Sequence, residues 1–234
     1  MMTFGLVHGA WHGAWCWRDV IAELEQRGHD TVAPELPIDD ASAGLDDYAR
    51  EVVRALAGHD DVVLVGHSLA SLVIPLVAAQ RAVRGMVFLC SVPLVPGAPV
   101  GPDLVSMVTP EFATAARFHD DLGRDVLDNE SARRLFFHDC DADVAARAVS
   151  RLRPQGPRPL AEPSPLTAWP DVPSLVVLTD DDRAVSASWA VGAAKRWLGR
   201  DPIVLPGSHS PFLSRPAALA EALVTAAEEL GSRR

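Results

Sequence analysis

Three short segments place a nucleophile, an acid and a base in a usable order. Gly66-His67-Ser68-Leu69-Ala70 follows the apolar run Val62-Val63-Leu64-Val65, Thr179-Asp180-Asp181-Asp182-Arg183-Ala184-Val185 follows a run at 174–179, and Pro206-Gly207-Ser208-His209-Ser210-Pro211-Phe212 follows one at 202–205. A buried parallel strand reads as a short, nearly continuous β-branched run. Small residues around Ser68 let the chain turn sharply and hold the hydroxyl exposed above a sheet. The usual pattern is G-x-S-x-G; here it ends in Ala70, whose methyl group nearly meets the need for a small side chain. Ser68 is the candidate nucleophile. His209 would accept its proton through one ring nitrogen while a carboxylate fixes the tautomer from the other side. Asp182, deepest in its loop, is the expected carboxylate, with Asp180 or Asp181 expected to cap the next helix.

A developing oxyanion needs backbone donors. The loop His8-Gly9-Ala10-Trp11 is placed to supply the Ala10 N–H, and the turn after Ser68 the Leu69 N–H. Gly9 and Gly13 do not have G-x-G-x-x-G spacing, and no acidic ribose ligand follows at the right distance, so no cofactor is expected. His8 and His12 are four apart, but they lie on a loop without H-E-x-x-H. No metal is expected, and His8 should pack beneath the loop.

Strands and helices must alternate to bring these loops to one crevice. Strand candidates are 3–8, 30–34, 61–66, 85–91, 174–179 and 202–205; helix candidates are 14–27, 45–57, 68–81, 186–198 and 214–230. This is the rhythm of an α/β fold, a mostly parallel six-stranded sheet covered on both faces. In such sheets ligands meet the carboxyl ends of the strands, where all the candidate segments lie. Pro75 falls inside the helix candidate 68–81 and should bend it. Between residues 91 and 174 the patterns are helical (103–117, 120–138, 141–151) and then Pro-rich, with no convincing strand, which suggests an inserted helical cap. The expected division is core 1–97, cap 98–171 and core 172–234. Leu104, Met107, Phe112, Phe118, Leu135, Phe136 and Phe137 of the cap are candidates to line an apolar pocket, Met107, Phe112 and Phe136 foremost, together with Trp11 and His12.

Composition narrows the partners. The 234 residues are 48% hydrophobic and 22% charged, ordinary for a globular chain with a sizeable core. The net charge of −10, without a basic patch, argues against nucleic acid and anionic membrane surfaces. Lys195 is the only lysine, which leaves Schiff-base and P-loop chemistry almost no candidate. Cys16, Cys90 and Cys140 are odd in number and widely spaced, and read as free thiols in a reducing compartment. Residues 62–79 are apolar but contain Gly66, His67, Ser68, Ser71 and Pro75, which suits a strand and core helix better than a membrane span. No secretory signal is visible, so a cytoplasmic monomer or homodimer is the expectation.

The stretches 6–17, 66–70 and 207–214, with Leu152-Arg153-Pro154-Gln155 of the insertion, resemble the α/β-hydrolase family. The likeness is to its branch of plant methyl-ester esterases and hydroxynitrile lyases with their bacterial esterase relatives. The resemblance spans nearly the whole chain. It implies a core starting at the family's third strand, a helical cap, catalytic roles for Ser68, Asp182 and His209, and an oxyanion hole at Ala10 and Leu69. The favoured expectation is hydrolysis of a small apolar carboxylic ester through an acyl-Ser68 intermediate. A lyase or cyclase with the same site, and a non-catalytic small-ligand receptor, are the alternatives. Lyases of this branch carry a lysine after the catalytic histidine, where this chain has Ser210.

Overall fold

A computed structural model describes residues 1–91, 96–97 and 105–231. Six parallel strands form the central sheet: β1 (Thr3–Val7), β2 (Asp30–Val32), β3 (Val62–His67), β4 (Gly85–Leu89), then, beyond a long intervening segment, β7 (Ser174–Thr179) and β8 (Ile203–Leu205). Their spatial order is β2-β1-β3-β4-β7-β8. The central strands β1, β3, β4 and β7 are buried along their whole lengths. That explains their unbroken apolar runs, since residues facing either side meet a core. Phe4, Leu6, Val63, Val65, Val87 and Leu89 belong to one core, and Val7, Leu64, Phe88 and Val176 to the other. Helices α1 (Arg18–Gln26) and α9 (Pro216–Gly231) cover the first core; α2 (Leu45–Ala55), α3 (Ile74–Ala78) and α8 (Ala187–Leu198) cover the second. The chain leaves β1 toward β2 on one side and pairs β1 with β3 on the other. This reversal opens a crevice at the strands' carboxyl ends.

The strand expectations hold to within one or two residues. Two helix expectations change in kind. Residues 14–17 form a 3₁₀ turn before α1, and residues Ser68–Leu72 form another before α3. Pro75 therefore lies in the first turn of α3 and does not bend a long helix; its missing N–H there has no partner to lose.

The segment between β4 and β7, expected as a helical cap, is not purely helical. Short α4 (Pro110–Ala113) precedes an antiparallel pair, β5 (Arg117–His119) and β6 (Asp125–Leu127), followed by α5 (Asn129–Phe136), α6 (Ala142–Val149) and α7 (Arg158–Ala161). The expected helices 103–117 and 120–138 are thus replaced in part by a hairpin. Phe118, Leu122 and Val126 recur at helical spacing, but Asp120 organises a turn. Its Oδ1 accepts from the N–H groups of Leu122 and Arg124, and Gly123 takes φ +72°. Phe118 and Leu122 consequently end up exposed. Leu104, the start of the helix expected at 103, and the first residues after the 97/98 boundary lie outside the described residues. Among the described residues no helix is long and apolar enough to cross a membrane. All three cysteines are unpaired.

Candidate active site

Ser68 sits at the carboxyl end of β3 with φ +50°, in the left-handed region that non-glycine residues seldom enter. Two neighbours share this strain: Trp11 (φ +59°), just beyond β1, and Cys90 (φ +48°), directly after β4. Such residues cost about 1–3 kcal/mol each and persist where packing over-determines them. Close approach explains two glycines. A Cβ on Gly66 would lie 2.9 Å from the Ala70 carbonyl, and one on Gly9 would lie 2.8 Å from His67 Nδ1 and 2.9 Å from Ser68 Cβ. Ala70 is completely buried, so its methyl group is accommodated in the elbow.

The three aspartates after β7 separate cleanly. Asp182 Oδ2 accepts from His209 Nδ1 at 2.7 Å, and both side chains are 3% exposed. Its Oδ1 accepts from the N–H groups of Ala184 and Val185, each at 2.8 Å, so three donors hold one carboxylate. Asp180 accepts from Gly207 N–H at 3.0 Å, tying the two loops together instead of capping a helix. Asp181 is 59% exposed beside His138 and Arg183. Because Nδ1 donates to Asp182, Nε2 of a neutral His209 is the free acceptor.

The loop after β1 is braced from several sides. His8 is buried beneath it, accepting from Leu36 N–H at Nε2 (3.1 Å) and donating from Nδ1 to the Gly9 carbonyl (2.9 Å). His12 donates from Nδ1 to the Ala10 carbonyl at 2.8 Å. Burial lowers its pKa to about 3, so the ring is neutral, and Nε2 is buried without a partner among the described residues. Arg153 N–H donates to the Trp11 carbonyl at 2.8 Å, while its guanidinium pairs with Glu35 and Asp39. Among the described residues the Ala10 N–H meets no backbone acceptor. Leu69, second in its 3₁₀ turn, has an N–H with no partner inside the turn.

Ser68, Leu69, His209 and Ala10 all face one cavity of about 90 Å³. Trp11, His12, Met107, Phe112 and Phe136 line the same cavity, while Asp182 stands behind His209, outside the lining. Leu135 and Phe137 instead fill the core, and Phe118 points to solvent. A profile described as the alpha/beta hydrolase family matches residues 6–222.

The chain belongs to the alpha/beta hydrolase family. The alpha/beta hydrolase nvfD of Aspergillus novofumigatus is 25% identical over 243 residues, covering 96% of each chain. A protein named putative methylesterase 14, chloroplastic, of Arabidopsis thaliana is 26% identical over 253 residues, covering 96% of this chain and 72% of its own. The crystal structure of a pyrethroid hydrolase from Sphingobium faniae matches with a TM-score of 0.78 at 25% identity, covering 97% of both chains.

Sequence reasoning missed several cavity residues of this alpha/beta hydrolase. His67 donates from Nε2 to the His209 carbonyl at 2.9 Å, and burial pushes its pKa well below the usual imidazole value. The middle position of an elbow motif gave no hint of this. Ring nitrogens of His67 and His209 and the Cys90 thiol lie within 4.8 Å of one another. The hydrogen bonds to the His209 carbonyl and to Asp182 engage both rings, and burial pushes the Cys90 thiol pKa up, which disfavours the thiolate a metal would need. Ala184 and Val185 reach the wall because Thr109 N–H donates to the Ala184 carbonyl and Ser186 N–H to the Met107 carbonyl, an isolated antiparallel bridge of Val108 with Val185 that seats residues 107–109 on the Asp182 loop. Arg117 also lines the cavity. A basic residue in a stretch read as helix carried no signal of facing a pocket.

Proposed function

We propose that this alpha/beta hydrolase cleaves a small carboxylic ester through an acyl-Ser68 intermediate. The observation that carries the reading is the 2.7 Å contact of Asp182 with His209 Nδ1, in a cavity shared with a strained Ser68. Asp182 holds the ring in the tautomer whose Nε2 is a base. Ser68 Oγ attacks the ester carbonyl as His209 Nε2 takes its proton. The N–H groups of Ala10 and Leu69 hold the oxyanion. The alcohol leaves with the proton from His209, and water, activated by the same nitrogen, releases the acid and restores Ser68.

The pyrethroid hydrolase and putative methylesterase relatives support an ester as the substrate class. The cavity is smaller than the roughly 150 Å³ of an engineered benzene-binding void. A short acyl or alkyl group suits it unless the cap moves. Three unpaired thiols suit the cytoplasm, where we place the protein. Ser210 is buried and neutral, so it offers no cation beside His209 to stabilise a departing cyanide. The test is an assay with nitrophenyl acetate and mandelonitrile. Ester hydrolysis without cyanide release above the buffer blank is expected; cyanide release dependent on Ser68 and His209, with esters untouched, contradicts the proposal.

A further inference from the structure

The cavity walls are mostly apolar, formed in part by Leu72, Met107, Val108, Leu160 and Val185. Polar His12, His67, Ser71 and Ser91 also line it, and Arg117 is the one arginine or lysine among the described lining residues. Its guanidinium carbon lies 4.6 Å from the centre of the Phe112 ring, and Nη2 donates to the Phe112 carbonyl at 2.7 Å. This is its one side-chain hydrogen bond among the described residues, which leaves four of five N–H donors without a protein acceptor.

The nearest carboxylate does not satisfy it. Asp125 Oδ2 stands 3.7 Å from Nη1, beyond hydrogen-bond reach, and Oδ1 is buried without a partner. The Asp125 backbone is paired with Gln155 in both directions, and its carbonyl accepts from Trp11 Nε1 at 3.0 Å. Burial raises the Asp125 pKa, while the charges of Arg117 and His119 pull it down. Arg117 is therefore a positioned cation, 28% exposed, held to Asp125 only by a long 3.7 Å ion pair, at the wall of a mostly apolar cavity.

The geometry points to Arg117 as the recognition group for a carboxylate at the end of the ester substrate remote from the scissile bond. The substrate class is then a half-ester of a short dicarboxylic acid, with an apolar middle. This rests on the ester-hydrolase reading above. A guanidinium presents a planar fork matched to a carboxylate, and the bond is charge-assisted. The chain's net charge of −10 repels free anions from the surface, so such a substrate needs a local cation.

The test compares monomethyl glutarate with its neutral counterpart methyl pentanoate, in the wild type and in Arg117→Gln, Arg117→Met and Arg117→Lys. The wild type should favour the half-ester at least tenfold in kcat/KM. Both neutral variants should cut that ratio on the order of 10- to 100-fold, the scale of a lost charge-assisted bond, and Arg117→Lys should keep part of it. Methionine preserves an apolar stem over Phe112, so it guards against misfolding of the glutamine variant. Calorimetry on Ser68→Ala supplies a readout that needs no turnover: the half-ester should bind more tightly than methyl pentanoate, and adding Arg117→Met should erase the difference. A wild-type ratio near or below one, or a preference that survives both neutral variants, overturns the inference while ester hydrolysis stands. If neither ester is cleaved, calorimetry still decides: equal binding of the two esters refutes the role of Arg117.

Discussion

The imidazole of His67 donates from Nε2 to the main-chain carbonyl of His209 at 2.9 Å, with the two ring centres 4.7 Å apart. The residue before the nucleophile thus fixes the backbone of the base, and serine and histidine share one mount. Replacing His67 with Gln, which can keep a donor near Nε2, should preserve most activity. His67→Leu should lower kcat about tenfold, the value of one neutral hydrogen bond with some disorder added, with KM little changed. Steady-state kinetics across pH checks this, because a displaced base also alters the pH profile of kcat/KM.

The aspartates should differ sharply. Asp182→Asn should cost about 10⁴ in kcat, the scale of losing a carboxylate that orients a catalytic histidine. Asp181, which is exposed, should be nearly silent. Asp180→Asn should cost less than Asp182→Asn, since its oxygen meets the Gly207 N–H and not His209. Comparable losses at all three positions would refute the assignment of Asp182.

Gly9 is a steric requirement of the oxyanion loop. Gly9→Ala places a Cβ 2.8 Å from His67 Nδ1 and 3.0 Å from the His67 carbonyl, so the loop must retreat and take the Ala10 N–H with it. A fall in kcat of roughly 10²–10³ is expected, the effect of losing one oxyanion donor, with a folded circular dichroism spectrum. Unchanged kcat would remove the loop after β1 from the mechanism.

His12 gives stability a pH signature. Its folded pKa is lowered to about 3 by burial, against 6.5 when unfolded. Between these values the unfolded chain binds the extra proton, so the stabilising contribution is complete above about pH 6.5 and is lost as pH falls. At pH 5 the loss is about 2 kcal/mol for this residue, and His67 adds to it in the same direction. His12→Asn can keep a donor to the Ala10 carbonyl without an ionisable ring. Its melting temperature should fall less between pH 7 and pH 5 than that of the wild type, as measured by thermal denaturation.

The core was legible because β1, β3, β4 and β7 are buried on both faces and therefore written in continuous apolar letters. Ser68, Asp182 and His209 were legible as positions because each closely follows such a strand; which aspartate meets His209 is settled only by the turn that donates Ala184 and Val185 N–H to Asp182. The cap resisted reading. Phe118, Leu122 and Val126 imitate a helix, and only the Asp120–Gly123 turn chemistry reverses the chain. His67 and Arg117 were invisible, since a hydrogen bond to a carbonyl 142 residues away and a place on a cavity wall leave no local pattern.

The most direct test of the central claim is covalent trapping with a serine-directed phosphonate ester, read by intact mass and peptide mapping. A single adduct is expected, mapped to Ser68, absent from Ser68→Ala and formed far more slowly in His209→Ala. No adduct on the folded wild type, or labelling at another serine, would contradict it.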